Sequence, residues 1–160
     1  MGIWDEQGRW CDDEESIAQA AISYFDNNYS SSLPNRIEEV TDAIPFKVTD
    51  EINESLIREF TRDEVVISLK QIHPNKAPGP DGMSAVFFQK HWSIVGNNIT
   101  NMIPNVLNHN IPIQELNKTN ISLIPKINNP KRMTDFRPIS LCNVVYKLIS
   151  KILANRLKIN

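Results

Sequence analysis

Asn120-Ile121-Ser122-Leu123-Ile124-Pro125-Lys126 and Phe136-Arg137-Pro138-Ile139-Ser140-Leu141 are the two stretches on which the fold of this chain turns. Residues 120–124 alternate and are rich in β-branched side chains, the pattern of a half-buried strand. Pro125-Lys126 closes that strand. A polar, basic loop from Ile127 to Asp135 leads into the second stretch, which reads as the returning strand. Pro138 has no N–H to donate, so it places this strand at an edge or a bulge. Helical patterns surround the hairpin on both sides. The expectation is an α+β, mostly helical chain with one antiparallel β-hairpin.

Downstream, Val145, Leu148, Ile149, Ile152, Leu153 and Leu157 recur at helical spacing, with Asn143 as the N-cap. Upstream, Thr61-Arg62-Asp63-Glu64 is a capping box ahead of Val65, Leu69 and Ile72, and His73-Pro74 stops that helix. Ser84 opens a helical region from Phe87 to Leu107, which Gly96 is expected to divide in two. Pro104 sits inside the second part, where proline costs about 3 kcal/mol. Thr49 opens a short helix through Ile52, Leu56 and Ile57. Asp12 or Asp13 caps another, carried by Ile17, Ala20, Ala21, Tyr24 and Phe25 and ended by Ser30-Ser31-Ser32-Leu33-Pro34. A weakly patterned acidic stretch follows, broken by Pro45. The first twelve residues are polar, contain Gly2 and Gly8, and read as a fraying end.

With 160 residues, 41% hydrophobic and 22% charged, the chain has ordinary globular composition. No apolar run approaches the roughly 18–20 residues of a spanning helix, and no secretory signal opens the sequence. Cys11 and Cys142 are too few for a disulfide framework or a zinc cluster. His73, His91 and His109 lie 18 residues apart, with no second ligand near any of them in sequence, so no metal site is expected. The net charge of −2 conceals an asymmetry. Residues 1–70 hold 6 Lys and Arg against 16 Asp and Glu, whereas residues 71–160 hold 11 against 3. Either the basic half meets a polyanion or the two halves neutralise one another.

Two segments carry chemistry. Residues 74–82, Pro-Asn-Lys-Ala-Pro-Gly-Pro-Asp-Gly, form a stiff, turned loop. In it Lys76 supplies charge, Gly79 and Gly82 allow close backbone approach, and Asp81 suits an Asx turn; a ligand-contacting loop and a rigid connector are both open readings. The hairpin bears Lys126, Lys131, Arg132 and Arg137, countered by Asp135 alone. These cations fit a phosphate chain, with Arg as a planar fork and Lys as a point charge, or else an ordinary solvated edge.

Read in order, Lys76-Ala77-Pro78-Gly79-Pro80-Asp81-Gly82, Ile121 to Lys126, Phe136 to Asn143 and Lys147 to Leu157 resemble the start of the reverse transcriptase domain of plant LINE-type (non-LTR) retrotransposons. The resemblance covers residues 61–160, and residues 1–60 resemble the acidic helical linker between the family's endonuclease and polymerase. It implies the fingers subdomain of a right-hand polymerase, truncated before the palm. Lys126 and Arg137 match positions that grip the incoming triphosphate. Lys76, Pro78, Gly79, Asp81 and Gly82 match a segment near the template, with Lys131 and Arg132 as further basic contacts. The implied partners are an RNA template or single-stranded nucleic acid, a deoxynucleoside triphosphate and a palm domain, with no membrane, in nucleus or cytoplasm. The family's catalytic aspartates, which hold Mg²⁺, belong beyond Asn160, so no catalytic residue, metal site or cofactor is expected in this fragment. Two other readings stand beside it: a retained nucleic-acid-binding or protein-interaction module, and a translated remnant without function.

Overall fold

A computed structural model describes residues 2–32, 37–42 and 48–159. The chain forms two compact units, residues 1–45 with 122–139 and residues 46–121 with 140–160. It is α+β, with helices and two small antiparallel two-stranded sheets.

The first unit opens with a hairpin, not a fraying end. Strands β1 (Ile3–Trp4) and β2 (Trp10–Cys11) pair Ile3 with Cys11 and Trp4 with Trp10. Asp5 organises the turn: its Oδ1 accepts the amides of Gln7 and Arg9, its Oδ2 accepts Arg9 Nε at 2.8 Å, and Gly8 supplies a φ of +78°. Its side chain thus replaces water for three donors, and the left-handed step is cheap at glycine. Helix α1 (Glu14–Tyr29) follows, capped by Asp13, whose side chain accepts from Ser16 N. Ile17, Ala20, Ala21, Tyr24 and Phe25, the expected apolar stripe, pack on Ile3, Cys11 and Met133. Helix α2 (Ile37–Thr41) is short; the expected breaks at Leu33-Pro34 and Pro45 lie outside the described residues.

The second unit is helical. Thr49 caps α3 (Asp50–Ile57) by accepting Ile52 N. Thr61 and Glu64 form the expected capping box at the start of α4 (Arg62–Gln71). Helices α5 (Ala85–Lys90) and α6 (Trp92–Asn108) come next, and the division falls at His91, not Gly96. Gly96 is buried mid-helix because the Trp92 indole lies over it: a Cβ there would stand 2.8 Å from the ring. The missing side chain therefore serves packing rather than breakage. Pro104 is accommodated inside α6.

Strands β3 (Thr119–Pro125) and β4 (Phe136–Cys142) form the second sheet, followed by α7 (Val144–Ile159). In α7, Val144, Val145, Leu148, Ile149 and Ile152 are buried against Val65, Leu69, Phe88 and Ile103. Burying such a side chain is worth about 1.5–3 kcal/mol. Of the apolar stripe read from the sequence, Leu153 and Leu157 remain open, at 42% and 68%.

The buried stripe of α7 ends in a charge. Arg156 is only 4% exposed, yet each of its five N–H donors has a partner. Nε meets Glu64 Oε1 at 2.7 Å and Nη2 meets Oε2 at 3.0 Å, a bidentate fork. Nη1 donates to the carbonyls of Leu56 and Arg58, and Nη2 also to that of Glu59. The guanidinium stacks 3.5 Å over the Phe60 ring. Helix α3 has no basic residue in its last turn, so Arg156 supplies both the missing donors and the charge its C-terminus favours.

Burial alone would raise the pKa of Glu64, but hydrogen bonds from Arg156 and the Thr61 amide outweigh it and hold the carboxyl below its ordinary value. A depressed carboxylate stabilises the fold fully above its unfolded pKa, and that contribution is lost as pH falls through the folded one. Chemical denaturation of the purified chain is expected to show stability falling as pH drops below about 4.5, with a flatter profile in Glu64→Gln. Arg156→Leu is expected to cost about 3 kcal/mol, since it leaves three carbonyls without their donor and the half-buried Glu64 carboxylate without its fork. A loss under 1 kcal/mol contradicts this role.

Candidate functional site

The sequence-derived site residues fall into two groups, one in each unit. Lys126, Lys131, Arg132 and Arg137 belong to the first unit; Lys76, Pro78, Gly79, Asp81 and Gly82 belong to the second.

The hairpin group is set by strand register. Lys126 N donates to Asp135 O at 2.8 Å, and Thr119 Oγ1 lies 3.5 Å from Cys142 Sγ. Both contacts fit one antiparallel alignment, in which Arg137 stands opposite Ile124 and Ile139 opposite Ser122. Alternation then places Ile124, Lys126, Arg137 and Ile139 on one face and Leu123, Pro125, Phe136 and Pro138 on the other. Pro125 and Pro138 fall at the non-hydrogen-bonded rungs, where a backbone N–H would point away from the partner strand. Both prolines therefore cost the ladder nothing. Leu123 packs towards Ile3, Cys11 and Met133 and so anchors its face. The opposite face is open, with Ile124 45% and Ile139 46% exposed beside the two cations.

Lys126 Nζ donates to the Thr134 carbonyl at 2.8 Å, leaving two of its three donors unused by that bond. The Arg137 guanidinium is exposed and has no partner among the described residues. Lys131 and Arg132 are exposed at the tip. Asp135 is held there by structure: its Oδ2 accepts the amides of Lys131 and Arg132, which keep its carboxyl below the usual carboxylate range.

In the second unit the proline-glycine loop is tied to the start of α7. Gly82 N donates to Gly79 O, closing a turn around Pro80 and Asp81, and Asp81 Oδ1 accepts Met83 N as the expected Asx turn. Gly82 has a φ of +70°. Asn143 Oδ1 accepts Asp81 N at 3.3 Å, and Lys147 Nζ donates to Ala77 O at 2.7 Å. Asn143 thus turns its side chain to the loop rather than to its own helix, while its carbonyl accepts Lys147 N. Gly79 is where backbone meets backbone: a Cβ there would stand 2.3 Å from Asn143 N. Lys76 is exposed at the loop's edge.

Asp81 and Asp135 are engaged by backbone amides, Glu115 pairs with Lys118 at 2.7 Å, and no group of three potential ligands occurs among the described residues. No helix among the described residues is long and apolar enough to cross a membrane.

The chain is 29% identical over 158 residues to the transposon TX1 uncharacterized 149 kDa protein of Xenopus laevis. That relative is a transposon protein. The match covers 98% of this chain but only 12% of the relative, so the chain spans a small part of the curated relative it matches. No family model matches it. The transposon similarity embraces both units, including the N-terminal hairpin that the polarity of the first residues concealed. Sequence reasoning also passed over Ile124 and Ile139 as part of the cationic face; the signal was available in their even spacing from Lys126 and Arg137.

The loop anchoring is testable. Gly79→Ala is expected to cost about 1–3 kcal/mol, as overpacking does, and to speed proteolysis within residues 76–83. Unchanged thermal stability would show that the loop does not need the close approach at Asn143.

Proposed function

We propose that the chain is the fingers-type part of a reverse transcriptase from a non-LTR retroelement of the plant LINE type, with residues 61–160 as the fingers fragment and residues 1–60 as its acidic linker segment. In this reading it binds and orients rather than catalyses. The hairpin receives the triphosphate of a deoxynucleoside triphosphate on Lys126 and Arg137, while the loop with Lys76, Pro78, Gly79, Asp81 and Gly82 meets an RNA template or other single-stranded nucleic acid. Lys131 and Arg132 add basic contacts, and nucleotidyl transfer belongs to a palm domain that supplies the Mg²⁺-holding carboxylates. Nucleus or cytoplasm would be its place of work.

The observation that carries this reading is the single register of β3 and β4. It sets an exposed guanidinium and a lysine on one open face, with two exposed isoleucines between and beside them. A guanidinium fork and an ammonium suit successive phosphates, and aliphatic side chains suit the flat side of a base or sugar. Similarity to a transposon protein over nearly the whole chain supports the same reading.

Equilibrium binding of a deoxynucleoside triphosphate, set against the unphosphorylated deoxynucleoside, tests it. Arg137→Ala and Lys126→Ala should each weaken triphosphate binding by about 10- to 100-fold, the scale of a hydrogen bond to a charged group. Neither should change the weaker binding of the nucleoside. Equal affinity of wild type and both variants for the triphosphate would defeat the proposal.

A further inference from the structure

The N-terminal hairpin bears a surface that triphosphate binding does not use. Opposed residues of an antiparallel pair share a face. Ile3 and Cys11 therefore point together into the first unit's core, at 5% and 7% exposure, and Trp4 and Trp10 point together outward, at 41% and 44%. Their rings meet edge to face with centroids 5.1 Å apart. Trp10 is fixed from behind: a Cβ on Gly2 would stand 2.4 Å from its ring, so the indole lies directly on the Gly2 backbone.

A cation extends this aromatic pair. Trp4 N donates to Lys131 O at 2.7 Å, and Trp4 forms a parallel bridge with Arg132. Bridged residues also share a face, so Trp10, Trp4 and Arg132 stand in a row. Arg132 and Lys131 are exposed, as is Arg9, whose side chain keeps 77% of its surface. The nearby acids are engaged within their own unit. Asp5, with a side chain only 7% exposed, takes Arg9, and Glu6 accepts the Asn27 amide at 3.1 Å. Two clefts, of about 160 and 530 Å³, both have Trp4 and Arg132 in their walls, and Tyr24 joins them in the smaller.

We infer that Trp4, Trp10 and Arg132 form a stacking platform for the unpaired bases of a single-stranded nucleic acid, with Lys131 and Arg9 meeting its phosphates. Two indoles held half-open offer flat faces to any base, and a guanidinium stacks on bases or takes phosphate oxygens. Lys131, Arg132 and Arg9 supply the positive charge for the phosphate chain, next to Asp5 and Glu6, which line both clefts and are held by Arg9 and Asn27. A duplex keeps its bases paired and stacked, so the platform selects single strands.

Anisotropy of a fluorescein-labelled oligothymidylate about a dozen nucleotides long, within the range of such sites, tests this on the full chain. Trp10→Ala should weaken its binding by about 5- to 100-fold, the loss expected for one stacked base, while leaving an abasic chain of equal length and the deoxynucleoside triphosphate unaffected. Trp10→Phe should retain most of the affinity. The double variant Lys126→Ala/Arg137→Ala should keep the difference between thymidylate and abasic chains, so that failure of the triphosphate site and failure of the platform give different patterns. In the wild-type protein the thymidylate chain should quench indole fluorescence and the abasic chain should not, a readout independent of how any variant folds. Equal binding of thymidylate and abasic chains, equal or tighter binding of a duplex, or absence of quenching overturns the platform and leaves the aromatic pair to a protein partner.

Discussion

The second unit depends on one guanidinium. Arg156 closes the buried stripe of α7, forks onto Glu64 at the start of α4, and fills the carbonyls that end α3. Three helices meet at a single planar group with five donors and no spare. Neither lysine, with three donors on a point charge, nor an apolar residue can satisfy the same set. A buried pair of this kind is weak evidence of net stabilisation, but removing one partner strands the other's charge. Glu64 has a double engagement, since its carboxylate also takes the Thr61 amide that opens α4. The helix cap and the tertiary clamp are therefore one network.

With α7 fixed at its far end by Arg156, its beginning holds the proline-glycine loop through Asn143 and Lys147. Gly79 and the Asx turn at Asp81 give that loop its shape without secondary structure. The hairpin follows a different rule, that of period two. Its prolines occupy rungs that need no N–H, Leu123 anchors one face, and Lys126 and Arg137 share the other.

Much of this was legible because the signals were local. Asp13, Thr49 and Thr61 each cap the helix that follows, since a short polar side chain and the orphan amides it satisfies lie within three residues. The β3–β4 hairpin was legible from alternation and from proline placement. What escaped was non-local. The N-terminal hairpin has strands of two residues, too short for any periodicity to show, and rests on Asp5 and on an apolar patch shared with Met133, over a hundred positions away. Gly96 looked like a helix breaker because only the folded helix lays Trp92 over it. Arg156 continues the i, i+4 stripe of Leu148 and Ile152, but a charged residue in an apolar stripe reads as the end of burial until its partners at residues 56–64 are known. Of the candidate site, the identities of Lys126 and Arg137 were legible and their shared face followed from register. Trp4 and Trp10 went unread as a surface because their pairing was not visible.

The central claim is that one face of the β3–β4 hairpin receives a nucleoside triphosphate. An NMR titration of the isotopically labelled chain with a deoxynucleoside triphosphate tests it most directly. The account predicts an alternating response: signals of Ile124, Lys126, Arg137 and Ile139, and the Arg137 side-chain N–H above all, move strongly, while those of Leu123, Phe136 and the tryptophan indoles move little. Shifts without alternation along the strands, or shifts centred outside the hairpin, would contradict it.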